Sequence, residues 1–372
     1  MSEPALLKHR LQSLDAFRGI TIAGMILVNN PGSWAHIYPP LRHAEWHGWT
    51  PTDLIFPFFL FIVGVAIPFA LTKYMDGRSK RFIYWKIIRR TLVLFVLGLF
   101  LAGFPKFNLE TIRIPGVLQR IAVVYFVASL IFLHTRWKTQ ALIGTSLLLL
   151  YWGLMTFIPV PGYGAGNLSP EGNLAAYMDR ALLGGHLWKG TWDPEGILST
   201  IPAIATALAG VLTGHWLRSG RDRREIAGWM FVAGWMAIIV GLFWGIVFPI
   251  NKNLWTSSYV MFTAGAALQF LAFCYWLMDV AGYRQWAKPA IVYGVNALAV
   301  FVLSGLVARL LIIIKMTVGD GQTISLKTWL YREAFASWLS PVNASLAFAL
   351  SNILFWWAVM ALLYRKQIFI KI

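Results

Sequence analysis

Polar residues are scarce enough along this chain that the apolar stretches between them can be laid out by eye. Ten runs occupy 17–37, 52–73, 87–104, 116–135, 139–159, 196–217, 226–248, 256–278, 289–312 and 343–364. Each approaches the roughly 20 residues that a helix needs to cross a hydrocarbon core. The pattern predicts an all-α polytopic membrane protein of about ten transmembrane helices. Two of the connections are longer than a simple turn, 161–195 and 315–341. The first is rich in glycine and turn signals. In the second, Trp329, Leu330, Phe335, Trp338 and Leu339 recur at near-helical spacing, as in a helix lying in the membrane interface; a lid over an outward cavity is the alternative.

Composition agrees. Apolar residues make up 58% of the 372 and charged residues 13%, about half the charged share of a soluble domain. No hydrophilic block interrupts the pattern, so 1–372 is expected to form a single membrane domain, opened by a short N-terminal segment, 1–16. The first apolar run carries no small-residue cleavage site and is expected to be retained. The lone Cys274 lies in an apolar run, which leaves no disulfide framework or thiolate metal site.

The net charge of +17 changes the picture once it is placed. With both termini in the cytoplasm and the helices alternating, about two thirds of the 32 Lys and Arg residues fall on the inner side, the asymmetry that orients membrane proteins. Basicity is thereby a topology signal, and nucleic acid is not an expected partner.

Chemistry concentrates in "LRHAEWHGWTPTDLIFPFFLFIVG", 41–64, where His43, Trp46, His47, Trp49 and Asp53 abut an apolar run. Pro51 is suited to open the second helix, with Thr50 as its cap. Asp53 then falls in the first turn, where the helix dipole favours a carboxylate; helix-start electrostatics and a functional role are equally open. The histidines suit an interfacial aromatic belt. Their spacing of four also suits a metal, but no third ligand is evident and none is expected.

Other polar residues sit at membrane depth, where they are costly unless used. They are Asp15, Arg18, Asn29 and Asn30 in the first helix; Arg113, Gln119 and Arg120 in "RIPGVLQRIAVVYF"; Asn251, Lys252 and Asn253 beside Trp255; and Asn296 and Arg309 in the ninth helix. Arg309 reads as a snorkelling arginine. For the rest, a polar-lined cavity is the reading that accounts for so many.

The ordered segments "SLDAFRGITIAGMILVNNPG", "RHAEWHGWTPTDLIFPFFLFIVG", "RIPGVLQRIAVVYF", "WDPEGILSTIPAIATALAGVLTG", "NKNLWTSSYV" and "GVNALAVFVLSG" together resemble the heparan-α-glucosaminide N-acetyltransferase family. The resemblance runs from about Ser13 to the last helix. It implies a transmembrane acyltransferase that draws acetyl-CoA from the cytoplasmic side and acetylates the amino group of a glucosamine-type sugar on the other side. By position, the family's active histidine falls on His43, its aspartate on Asp53 and its asparagine on Asn29. At His47 the lysosomal enzyme has asparagine, so His47 is expected to matter less. The chain is expected to lack that enzyme's luminal N-terminal domain and one of its helices, which makes a bacterial amino sugar or glycan end the expected acceptor and a bacterial cytoplasmic membrane the expected location.

Within that picture Arg18, Gln119, Arg120 and Asn296 are the candidate acetyl-CoA contacts. Trp46, His47, Arg113, Asn251, Lys252, Asn253, Trp255 and Glu195 are the candidate acceptor contacts. A histidine near its ordinary pKa of about 6.5 is the natural general base for an attacking amine. Asp53 would orient it, and Asn29 or Gln119 would donate to the developing oxyanion. Direct transfer is preferred to an acetyl-histidine. An amino-sugar permease and an O-acyltransferase of envelope glycans remain as alternatives, and a homodimer is left open as the assembly.

Overall fold

The computed structural model describes residues 11–370 apart from 76, 78 and 320. Part of the expected N-terminal segment, 1–10, lies outside the described residues. The chain is helical with one small hairpin, and each of the ten apolar runs meets a helix. Among the described residues, seven helices are long and apolar enough to span a membrane, and a bent pair makes up to eight. The chain is thus a multi-pass membrane protein. α1 (Gln12–Asn29) and α3 (Lys80–Gly103) are not among the seven, because polar and basic residues crowd their first turns.

α1 begins five residues before the expected 17 and stops well short of 37. Pro31 is the reason: it offers no amide and pushes Asn30 out of helical geometry (φ −129°, ψ 49°). The second span opens with a tight turn, Pro51–Leu54, that runs into α2 (Ile55–Met75). α4 (Val117–His134) starts directly after Pro115-Gly116. α5 (Trp137–Phe157), α7 (Thr200–Leu217), α8 (Arg223–Val247) and α9 (Ser257–Tyr275) match the expected runs closely. Between α5 and α7, the long glycine-rich loop holds a further helix, α6 (Leu174–Leu183), whose cap Asn173 accepts the Ala176 amide at 2.8 Å.

The ninth run departs most. It is two helices, α10 (Lys288–Val295) and α11 (Ala297–Ile313), and the span is bent by 67° at Asn296. The Asn296 amide donates to Ile368 O (3.0 Å) and accepts from the Ile370 amide (2.9 Å). It pins the segment that follows the last helix, α13 (Pro341–Arg365). The long loop before α13 is a two-stranded antiparallel hairpin, β1 (Lys315–Thr317) and β2 (Thr323–Ser325), followed by α12 (Leu326–Tyr331) and one wide turn, Arg332–Ala336. The expected interfacial helix is therefore short and preceded by strands.

Contacts divide the chain into two compact units. One comprises the chain up to His43, Thr50–Ile55 and the residues from Leu277 on; the other comprises Ala44–Trp49 and Phe56–Trp276. Each is held by a crossing that only glycine allows. In the first, α1 meets α10, where a methyl group on Gly19 would lie 1.7 Å from Ala290 O and one on Gly294 1.9 Å from Asp15 O. In the second, α2 meets α7, where Gly64 would strike Ala207 O at 2.0 Å and Gly210 would strike Phe61 O at 2.1 Å. Close backbone approach through small residues is how helices pack where apolar burial brings little gain.

Candidate functional site

In the first unit, the turn before α2 builds the site. Pro51 fixes the helical φ, and the Thr50 amide donates to Asp53 Oδ2 at 3.0 Å, a reciprocal cap that holds the Asp53 side chain at the helix start. Its other oxygen, Oδ1, lies 2.6 Å from His43 Nδ1. The Thr50 hydroxyl donates to Arg42 O at 2.6 Å and the Thr52 hydroxyl to Pro40 O at 3.2 Å, so the irregular segment carrying His43 is tied to the same turn. The Asp53 side chain is 1% exposed and that of His43 44%. A buried carboxylate on Nδ1 fixes the tautomer that leaves the lone pair on Nε2, on an exposed ring. Helix capping and imidazole orientation are thus one job of one carboxylate.

Asn29 ends α1, exposed. Arg18 lies against Asp15 at 2.9 Å and donates to Gly294 O at 3.4 Å. Asn296, at the helix break, has both ends of its amide committed to backbone.

The second unit collects the remaining candidates. Gly48 N donates to Ile250 O at 2.8 Å, which stitches the 44–49 segment to the turn before α9. Asn251 is fully buried, its Oδ1 accepting the Leu254 amide at 2.9 Å and its Nδ2 lying 3.3 Å from His47 Nδ1. Partial burial lowers the His47 pKa, which favours the neutral ring. Trp46 Nε1 donates to Leu168 O, and its ring meets Trp192 edge to face at 5.1 Å. Trp255 is buried rather than exposed to a ligand. It adopts φ +53°, a region costly for a bulky residue, with Nε1 on Thr206 Oγ1 at 3.1 Å. Lys252 and Asn253 are half-buried in the same turn.

Arg113 and Glu195 do come together, through a residue the sequence reading passed over. Asp193 receives Arg113 Nε at 2.8 Å and Nη2 at 2.6 Å, together with the Trp188 and Glu195 amides, each at 2.9 Å. Arg113 Nη2 also donates to Glu195. Burial acts to lower the Arg113 pKa, but the two carboxylates outweigh it and raise it. Asp179 on α6 was also missed. It accepts the Ile197 amide at 2.9 Å, and burial pushes its carboxyl up to about 6. The signal available for both was scarcity: the chain has 15 acidic residues, and "WDPEG" places two of them within three positions.

Gln119 and Arg120 are buried on α4. Arg120 Nη2 donates to Gly196 O (3.2 Å) and to Ser199, and its guanidinium lies 5.1 Å over the Trp255 ring. Its Nε and Nη1, and Gln119 Nε2, have no hydrogen-bond partner among the described residues. Buried donors of this kind call for an acceptor.

The first unit's fold and polar sites define the class: an integral membrane protein with a buried carboxylate aligning an exposed histidine. A family described as "Domain of unknown function (DUF5009)" matches residues 10–212, and the chain belongs to it. Curated relatives carry a functional name. The chain is 32% identical over 355 residues to heparan-α-glucosaminide N-acetyltransferase of Mus musculus, covering 79% of this chain and 53% of the relative. It is 33% identical over 359 residues to the Homo sapiens protein of that name, covering 80% and 53%. The chain spans about half the length of these relatives.

Proposed function

We propose that the protein is a transmembrane N-acetyltransferase that moves acetyl from cytoplasmic acetyl-CoA to the amino group of a glucosamine-type sugar on the outer side, with His43 as general base. The observation that carries the reading is the 2.6 Å contact between exposed His43 and buried Asp53. The names of the relatives support the reaction class. Placing both termini in the cytoplasm, counting the helices as ten and locating the protein in a bacterial cytoplasmic membrane belong to the same proposal.

The acceptor nitrogen attacks the thioester carbonyl carbon, and His43 Nε2 takes the proton that the nitrogen sheds. The C–S bond then breaks and the departing sulfur receives that proton, giving free CoA and the N-acetyl sugar. Asp53 stabilises the transient imidazolium, as the carboxylate does in a catalytic triad. Gln119 and Arg120 are assigned to acetyl-CoA because Gln119 Nε2 and Arg120 Nε and Nη1, without a partner among the described residues, suit the amide and thioester oxygens of its arm. Arg18 is the phosphate candidate; Asn296, its amide committed to Ile368 and Ile370, has a structural role. Asn29 is retained as the oxyanion donor.

The test uses purified protein with acetyl-CoA and glucosamine. Release of free thiol that depends on the sugar is the expected result. Vesicle uptake of labelled sugar without donor, and no thiol release with any amino sugar, would replace this reading with a permease. Thiol release with N-acetylated sugars in preference to amino sugars would redirect it to hydroxyl acceptors.

A further inference from the structure

His43 and His47 are four residues apart and both exposed, yet their ring partners are of opposite kinds. The reasoning for His47 starts from an atom with no ambiguity. The Leu254 backbone amide can only donate, and it points at one end of the buried Asn251 side chain at 2.9 Å. That end must be oxygen, which leaves the NH₂ facing His47 Nδ1 at 3.3 Å. An NH₂ can only donate, so Nδ1 must accept, and a neutral imidazole whose Nδ1 accepts carries its proton on Nε2. The main chain holds this arrangement: Gly48 N donates to Ile250 O at 2.8 Å, and Asn251 is anchored by its own amide on Thr256 Oγ1 at 3.0 Å. The lowered pKa of His47 agrees with a ring that stays neutral.

We infer that His47 is a fixed hydrogen-bond donor, Nε2–H, which positions an oxygen of the acceptor sugar and takes no proton in the reaction. This rests on the acyltransfer reading and deepens it: the second unit supplies the acceptor with a ring that only donates a hydrogen bond. The surroundings suit a sugar. The Trp46 ring stands edge-on to His47 at 6.3 Å and Trp192 lies against Trp46, so apolar ring surface flanks the donor. His47 is a positioning residue, not a second base.

The experiment has a spectroscopic and a kinetic arm. Imidazole ¹⁵N correlation spectra of the full-length protein, with His47→Gln used to assign the signal, should show Nε2 protonated and Nδ1 bare near pH 7.5. An Nδ1–H tautomer or an imidazolium overturns the inference. In the kinetic arm, His47→Ala should raise the KM for glucosamine about tenfold, the loss of roughly one hydrogen bond. The kcat and the KM for acetyl-CoA should hold. His47→Gln, whose amide NH₂ reaches the place of Nε2, should restore the KM to within about threefold of the parent. Asn251→Asp keeps the oxygen facing Leu254 and turns an acceptor toward His47. It should reverse the tautomer and raise the sugar KM as much as His47→Ala does. An unchanged KM in His47→Ala, or a His47→Gln no better than it, overturns the proposal. A protein inert toward acetyl-CoA that still shows Nε2–H would sink the acyltransfer reading alone.

Discussion

Two buried carboxylates, one in each unit, show how a partner decides what an acid does. Asp53 is closed off from solvent and faces a histidine that is 44% exposed. Asp193 is just as closed off, but it faces a guanidinium and two backbone amides, with Glu195 completing the cluster. In the first case the carboxylate orients a solvent-exposed ring, as the proposed base requires. In the second its charge is absorbed inside the protein. Burial alone does not separate the two carboxylates; the partner each one faces does. The two histidines repeat the contrast, since His43 answers to a carboxylate and His47 to an amide.

The largest effect that can break this comparison is on His43. His43→Ala should lower kcat by about 10²–10⁴-fold, the span that a positioned base supplies. Acetyl-CoA binding, read by calorimetry, should remain. Activity close to the parent would mean that the exposed ring is idle and the base assignment wrong.

Arg113→Ala tests the other side. It leaves Asp193 and Glu195 buried without their cation, and breaking such a pair costs about 3–5 kcal/mol. A marked fall in melting temperature in detergent is the expected outcome. An unchanged melting temperature with a raised sugar KM would make Arg113 a substrate contact and remove the clamp from the comparison. Asp53→Asn is smaller and sharper, because it gives His43 the kind of partner His47 already has. The Thr50 cap can survive it, while the carboxylate that holds Nδ1–H is lost. A fall in kcat of about 10²-fold, the low end for a misaligned base, with little change in stability, is expected. Equal activity would show that the charge on Asp53 is dispensable.

The helices were legible because apolar runs of this length have few other fates, and the Thr50-Pro51-x-Asp53 start was legible because caps are local chemistry. Asn296 was not. Its neighbours read as one span, and only its commitments to Ile368 and Ile370, more than 70 positions away, explain the break. The end of α1 could have been read, since Pro31 stood in plain view inside an apolar run that was carried past it. In the site, His43 and Asp53 lie close in sequence and one turn joins them. Asp193 and Asp179 act on Arg113 and the Ile197 amide, partners that lie 80 and 18 positions away. Pairings of that reach leave no mark in local pattern, and the burial of Trp255 against Thr206, 49 positions away, is equally invisible there.

A third buried acid, Asp179, accepts a backbone amide and forms no ion pair with a histidine or an arginine among the described residues. Its carboxyl stands at about 6 in the folded protein against an ordinary value of 3.8, first because burial disfavours the charge. The Ile197 amide and the charges of Arg120 and Arg180 oppose that shift, and Asp193 adds to it. Between about pH 4 and pH 6 the folded state therefore holds more proton than the unfolded chain. Stability must fall as pH rises through that window, with the penalty complete above it. Asp179→Asn keeps an acceptor for the Ile197 amide and removes the charge. It should stabilise the protein by about 3 kcal/mol well above pH 6 and by nothing near pH 4, which thermal melts at the two pH values would read. A gain that is the same at both would mean that packing, not charge, was relieved. A loss above pH 6 would mean that the Asp179 carboxylate is absorbed by Arg120 and Arg180 as fully as that of Asp193 is by Arg113, and the contrast would narrow to the histidine-facing acid alone.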